Sequence, residues 1–204
     1  IEYTSGDYQY ILMDDQTARI SGYLGSETTL VLPNTLDGLR VTGITDRAFA
    51  FCDTLKSVTI PENIIYVGAN PFFSCEQLTE INVSPDHLTL ATINGVLFEK
   101  TEKRLVCYPC AFTATAYSIP DGIRSIGDDA FLGCENLITI DVPDSVTSIG
   151  GSAFFLCTKL MSINIPYGVT HIGHSTFRDC YSLGYVIIPD SVTHIDHYAF
   201  SWCK

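Results

Sequence analysis

Four histidines have the spacing that metal chemistry asks for. His171 and His174 stand three residues apart, and His194 and His197 repeat the pair 23 residues later. Neutral imidazole is a good ligand for zinc and other late first-row ions. If positions 23 apart are stacked at about 5 Å, two to four of the rings form a patch able to hold such an ion. Against this, the first of the two columns holds Gly43, Tyr66, Ser125 and Ser148 elsewhere in the chain, which reads as an exposed, variable position.

Six of the eight cysteines follow the same interval. Cys52 and Cys75 are 23 residues apart, and Cys134, Cys157, Cys180 and Cys203 succeed one another at that spacing. Each lies three residues after a phenylalanine and, Cys203 apart, three before a leucine, an inward apolar slot where a free thiol acts as a small hydrophobe. Parallel stacked β-carbons also suit poorly the torsion of about 90° that a disulfide needs. The expectation is a column of buried, reduced thiols. Cys107 and Cys110 stand outside it as Cys-Tyr-Pro-Cys. A lone C-x-x-C is a redox or half-zinc signature, but no second pair sits at zinc-finger spacing, so the two read as small residues beside a hairpin.

Signatures of catalysis are missing. The sequence contains no G-x-S-x-G, no H-E-x-x-H, no glycine-rich phosphate loop and no EF-hand calcium loop. Its carboxylates are scattered over turns. The reading is therefore of a chain without catalytic residues or cofactor, and recognition falls to its surface. Variable positions form two ladders, Ser57, Glu80, Thr139, Ser162 and Tyr185, then Thr59, Asn82, Asp141, Asn164 and Ile187. With Met161, their later members make an apolar and aromatic patch among polar neighbours, the composition of many binding sites. Tyr185, Ile187, Met161, Asn164 and Asp141 are the candidate ligand-binding residues.

All these residues need a scaffold that brings like positions together, and the repeat supplies it. Full repeats occupy 41–63, 64–86, 123–145, 146–168 and 169–191, with a partial one at 192–204. Self-similarity at a fixed period of this size means a solenoid. Ile44, Val67, Ile126, Ile149, Ile172 and Ile195 mark one short strand per coil, usually followed by a glycine that permits a sharp bend. Phe49, Phe72, Phe131, Phe154, Phe177 and Phe200 fill the coil centres. Leu137-x-x-Ile140-x-Val142 and its equivalents form the L-x-x-L-x-L strand of a leucine-rich repeat, closed by prolines that cannot donate to a ladder. No coil buries its faces alone, so stacking must do it. The predicted fold is a right-handed leucine-rich-repeat solenoid, β-rich with short helical turns, carrying a parallel sheet on one face.

Three regions depart from the period. Residues 1–40 hold strand-like runs near Tyr8–Met13, Ala18–Tyr23 and Thr29–Leu32, predicting an N-terminal β cap; the solenoid then spans 41–204. Residues 87–122 make an expanded coil, with Ile93–Phe98 and Arg104–Tyr108 flanking the polar Glu99–Lys103 as a hairpin. The chain stops at Lys204 before a sixth leucine strand, so either it continues or Phe200 and Trp202 close the end. Ile1-Glu2-Tyr3-Thr4 reads as the start of a mature chain, its signal peptide removed.

The motif I-G-x-x-A-F-x-x-C-x-x-L-x-x-[VI]-x-[IV]-P, carried by Ile149 through Pro166, resembles the BspA-type leucine-rich repeat. Asp15-x-Thr17-Ala18-x-Ile20-x-Gly22-Tyr23, and the segment from Asn94-Gly95-Val96-Leu97 to Tyr108-Pro109, resemble what flanks such repeats. The resemblance implies a bacterial secreted or cell-surface protein, in some members an adhesin for host matrix proteins or other cells. It implies no catalytic residues. The expected partner is a protein or glycan on host or neighbouring cells, with a passive spacer in a larger surface protein as the alternative. A net charge of −12 excludes nucleic acid and anionic membrane surfaces by repulsion. No apolar run is long enough to span a bilayer.

Overall fold

The computed structural model describes residues 1–204. An antiparallel meander opens the chain: β1 (Glu2–Ser5), β2 (Tyr8–Leu12) and β3 (Ala18–Tyr23). β4 (Thr29–Val31) and β5 (Thr35–Leu36) follow, and β6 (Leu39–Ile44) lies parallel to β3. The coils then alternate between two faces. β7 (Ser57–Ile60), β9 (Glu80–Val83), β15 (Thr139–Asp141) and β17 (Ser162–Ile163) carry the leucine motif. β8 (Tyr66–Val67), β14 (Ser125–Ile126), β16 (Ser148–Ile149), β18 (His171–Ile172) and β19 (His194–Ile195) carry the isoleucine column. Between β9 and β14 lie β10 (Leu90–Ile93), β11 (Val96–Glu99), β12 (Arg104–Cys107) and β13 (Ala116–Ser118).

Like positions stack as the period requires. Ser57 pairs with Glu80, Thr139 with Ser162, and His171 with His194, all in parallel register. The aromatic column is continuous within each half of the molecule. Tyr23, Phe49 and Phe72 stack in one run; Tyr108, Phe131, Phe154, Phe177 and Phe200 stack in the other, with centroids 5.2 Å apart throughout the second.

Tight turns take the place of the short helical turns. Five coils put two left-handed residues four apart, such as Arg47 and Phe51, Ser152 and Leu156, or Ser175 and Asp179. An α-helix does not admit such residues. The backbone N–H groups are also spoken for. Those of Arg47, Phe49 and Phe51 donate to Ala69, Pro71 and Phe73 of the next coil at 3.0, 2.8 and 3.0 Å. Those of Ala48, Ala50 and Cys52 make local bonds to the residue three earlier. Half the donors thus serve the stack, and none remain for an i→i−4 ladder. The bend after the isoleucine column is equally crowded: a β-carbon on Gly150 would lie 2.5 Å from the Asp128 nitrogen.

The leucine-face sheet is parallel but broken. β4, β7 and β9 form one three-stranded sheet; β13, β15 and β17 form another. The expanded coil divides them, and the core divides with it. In the hairpin β11–β12, Val96, Phe98 and Leu105 join the core of the later coils, whereas Leu97, Val106 and Cys107 join that of the earlier ones. Successive strand residues point to opposite faces, so a two-strand partition can plug two cores at once. This is why β11 is apolar at consecutive positions rather than alternate ones.

Candidate functional site: a groove beside the last leucine strand

The feature with room for a ligand is a groove of about 680 Å³ on the leucine face. β13, β15 and β17 form its floor, and the segment from Tyr185 to Asp190 its far wall. It exists because the stack opens there. Thr79 and Met161 each donate a backbone N–H to the coil before, to Lys56 and Ile138 at 3.1 and 2.9 Å. The equivalent residue of the next coil is Gly184, and no backbone hydrogen bond joins Gly184–Ile188 to β17. Glycine weakens a strand because it packs nothing and costs more entropy to order. The groove edge of β17 and the irregular segment Gly184–Ile188 therefore face each other with no backbone hydrogen bond between them.

The wall is apolar and open to solvent. Tyr185 is 70% exposed and Ile187 75% exposed. Tyr167, across the groove, is 77% exposed. Asp141 and Asp190 are the ionisable side chains of the lining apart from the tyrosines, and no lysine or arginine contributes. Deeper in, Tyr117 packs against Tyr108 and Phe131, and its hydroxyl has no partner. Burial pushes that phenol well above its ordinary range, so it is a neutral donor at physiological pH.

Of the five candidate residues, Asp141, Asn164, Tyr185 and Ile187 line this groove; Met161 is exposed but lies outside the lining. Asn164 has a task of its own. Its amide accepts from the Val142 nitrogen at 3.0 Å and donates to the Val142 oxygen at 2.6 Å, extending the ladder past β15. Two lining residues carry signals that were readable but unremarked. Tyr167 follows a strand-ending proline where other coils place Glu62, Asp144 and Asp190, so an aromatic breaks an acidic column. Tyr117 breaks a column of isoleucine, paired with Ile140 in the sheet.

The histidines form two pairs on the isoleucine face. His171 and His194 are 6.4 Å apart between centroids, His174 and His197 4.5 Å, both edge to face. His171 Nε2 lies 3.1 Å from Asp196 Oδ2, and the hydroxyl of Thr193 is 2.8 Å from His194 Nδ1. No group of three or more histidine, cysteine or acidic side chains is disposed to hold a metal ion. The thiol column is buried at Cys52, Cys75, Cys134, Cys157 and Cys180 and partly exposed at Cys203, with every cysteine free. Cys110 is not outside it. Tyr108 occupies the phenylalanine position, stacked on Phe131, and Cys110 then falls beside Cys134.

Comparison with known proteins finds one family and several similar solved structures. Residues 26–114 and 110–204 match the family described as BspA type leucine rich repeat region, in 6 copies. A leucine rich cell surface protein from Faecalibacterium prausnitzii A2-165 is similar at 23% identity over 100% of this chain and 86% of its own, with a TM-score of 0.57. The leucine rich repeat protein of T. pallidum is similar at 25% identity, covering 96% of this chain and 86% of its own, TM-score 0.55. The pneumococcal vaccine antigen PcpA shares 21% identity over 82% of this chain and half of its own, TM-score 0.67. A search of curated proteins finds no match.

Proposed function

The chain belongs to the BspA-type leucine-rich-repeat family, and on that footing we propose that it is a non-catalytic interaction module, displayed on or outside a bacterial cell, that takes a protein ligand in the groove beside β17. The observation that carries this reading is the free backbone edge of β17 opposite the unpaired segment Gly184–Ile188, with exposed Tyr167, Tyr185 and Ile187 beside them. An extended peptide satisfies such edges by adding a strand, while side-chain pockets give specificity. Aromatic anchors at the centre of a patch are where binding energy concentrates. The acidic lining, Asp141 and Asp190 without a cation, favours a segment carrying lysine or arginine. Adhesion to host matrix proteins or neighbouring cells is the role that fits such a surface.

The test is a binding panel of immobilised matrix proteins and glycans, read by surface plasmon resonance, with Tyr185→Ala beside the wild type. Saturable binding to a protein, weakened at least tenfold by the substitution, is the expected outcome. Silence across the panel, or a hit that Tyr185→Ala leaves unchanged, counts against the groove.

A further inference from the structure

One thiol in the column points the wrong way. Cys75, Cys157, Cys180 and Cys203 each donate to the carbonyl of a phenylalanine one coil back, Phe49, Phe131, Phe154 and Phe177, at 3.0, 3.2, 3.1 and 3.1 Å. Cys134 follows suit toward Tyr108, at 3.7 Å. Cys110 instead donates forward, to the Leu132 carbonyl at 3.0 Å. The expanded coil is the cause: two residues carry the chain from Tyr108 to Cys110, where three separate Phe131 from Cys134. The two sulfurs therefore face each other, 2.7 Å apart. A disulfide needs about 2.05 Å, so closure asks for less than about 1 Å of movement.

The pair is also reachable. Cys110 is partly exposed and lines a hollow of about 320 Å³ with Ser74, Glu76, Glu135 and Asn136, whereas Cys134 is buried beneath it. We propose that Cys110 and Cys134 are a covalent modification site, a dithiol that small disulfides oxidise to a bond locking the expanded coil onto the coil that follows. Cys110, as thiolate, attacks one sulfur of a low-mass disulfide RSSR. That S–S bond breaks, and RS⁻ leaves and takes up the proton Cys110 gave to solvent. Cys134 then loses its proton and attacks the Cys110 sulfur of the mixed disulfide, expelling the second RS⁻, which leaves as RSH. The protein gives up two electrons and two protons, and RSSR becomes two RSH. Glu76 and Glu135 are the charged groups of the hollow, with no cation to offset them. A cationic reagent such as cystamine is therefore favoured over anionic glutathione disulfide.

The experiment uses the reduced full chain, treated with cystamine or glutathione disulfide, then denatured and alkylated. Mass spectrometry should show alkylation falling from eight thiols to six. The tryptic peptides 105–124 and 125–159 should become joined, with fragment ions placing the link on Cys110 and Cys134. Cys110→Ser should retain seven free thiols, while Cys107→Ser should still close. The bond should raise the Tm by roughly 5–10 °C, and cystamine should react several-fold faster than glutathione disulfide at low salt. Eight thiols persisting in the wild type, a link that spares Cys110, or a mixed disulfide left standing on Cys110 would each overturn the proposal.

Discussion

Arg47 Nη2 lies 2.6 Å from Asp129 Oδ2, although the two residues stand 82 apart in the chain. The pair crosses the partition that divides the two cores, and the Asn70 amide joins it by donating to the Asp129 carbonyl at 2.8 Å. Asp129 is itself a left-handed turn residue and almost wholly buried, whereas Arg47 is half exposed. With the leucine sheet broken at this point, these contacts, together with the Arg104 guanidinium on the Val67 carbonyl at 2.8 Å, stitch the halves together.

Burial raises the Asp129 carboxyl above its ordinary range, and Arg47 opposes that shift. A carboxyl with a raised folded pKa contributes stability that is complete below the unfolded pKa and is lost as pH rises through the folded one. Urea titration of wild type and Asp129→Asn should therefore show the wild type losing ground relative to the variant as pH climbs through the carboxylate range. Arg47→Ala strands the buried charge and should cost about 1–3 kcal/mol at neutral pH, discounted for the exposed arginine. A variant equal to wild type in urea midpoint would show that the pair does not hold the seam.

The opening meander should respond to acid with the opposite sign. Asp37 accepts from Ser5 Oγ at 2.6 Å and from the Tyr10 hydroxyl at 2.9 Å, and these bonds hold its carboxyl below the usual range. Its contribution is complete above the unfolded pKa and disappears as pH falls through the lower folded value. Amide exchange in β1 and β2 should accelerate below about pH 4 in the wild type, and Asp37→Asn should flatten that dependence.

Phe154 is sandwiched between Phe131 and Phe177 at 5.2 Å on both sides, with interplanar angles of 20° and 5°. Phe154→Ala opens a void that two neighbouring rings cannot fill, and should cost about 3–5 kcal/mol in chemical unfolding. Phe154→Leu should cost less, since it retains most of the volume.

The thiols give a kinetic test of the core. Burial raises Cys157 well above the usual thiol range and Cys180 to about 12. Since the thiolate is the reactive form, alkylation at pH 8 should leave both untouched on the folded chain and modify them only as it unfolds. Rapid native labelling of Cys157 would contradict the packed column.

The sequence made the columns legible because stacking imposes one residue type at each inward position, and a 23-residue interval exposes it. What stayed hidden depends on relations between coils that no single column records. Cys110 seemed to be off the ladder because its spacing from Cys134 is 24 residues, and only the stacking of Tyr108 on Phe131 restores the register. The partition was hidden because Val96-Leu97-Phe98 reads as one apolar run, without saying that its residues serve two cores. The groove arises from an interaction that fails to form, at Gly184; the ladders as read from sequence continue through Tyr185 and Ile187 as if paired. The histidine columns stack as the period requires, His171 with His194 and His174 with His197, but the partners of the first pair, Asp196 and Thr193, are not evident from the columns alone.

The central claim is that the groove takes the ligand, and hydrogen–deuterium exchange on the chain with and without a protein captured by the binding panel tests it most directly. The account predicts protection confined to Gly184–Ile188, whose amides lack coil-to-coil bonds in the free protein, and to the groove-facing edge of β17, with the histidine face unchanged. Protection of β18 and β19 while Gly184–Ile188 continues to exchange freely would contradict it.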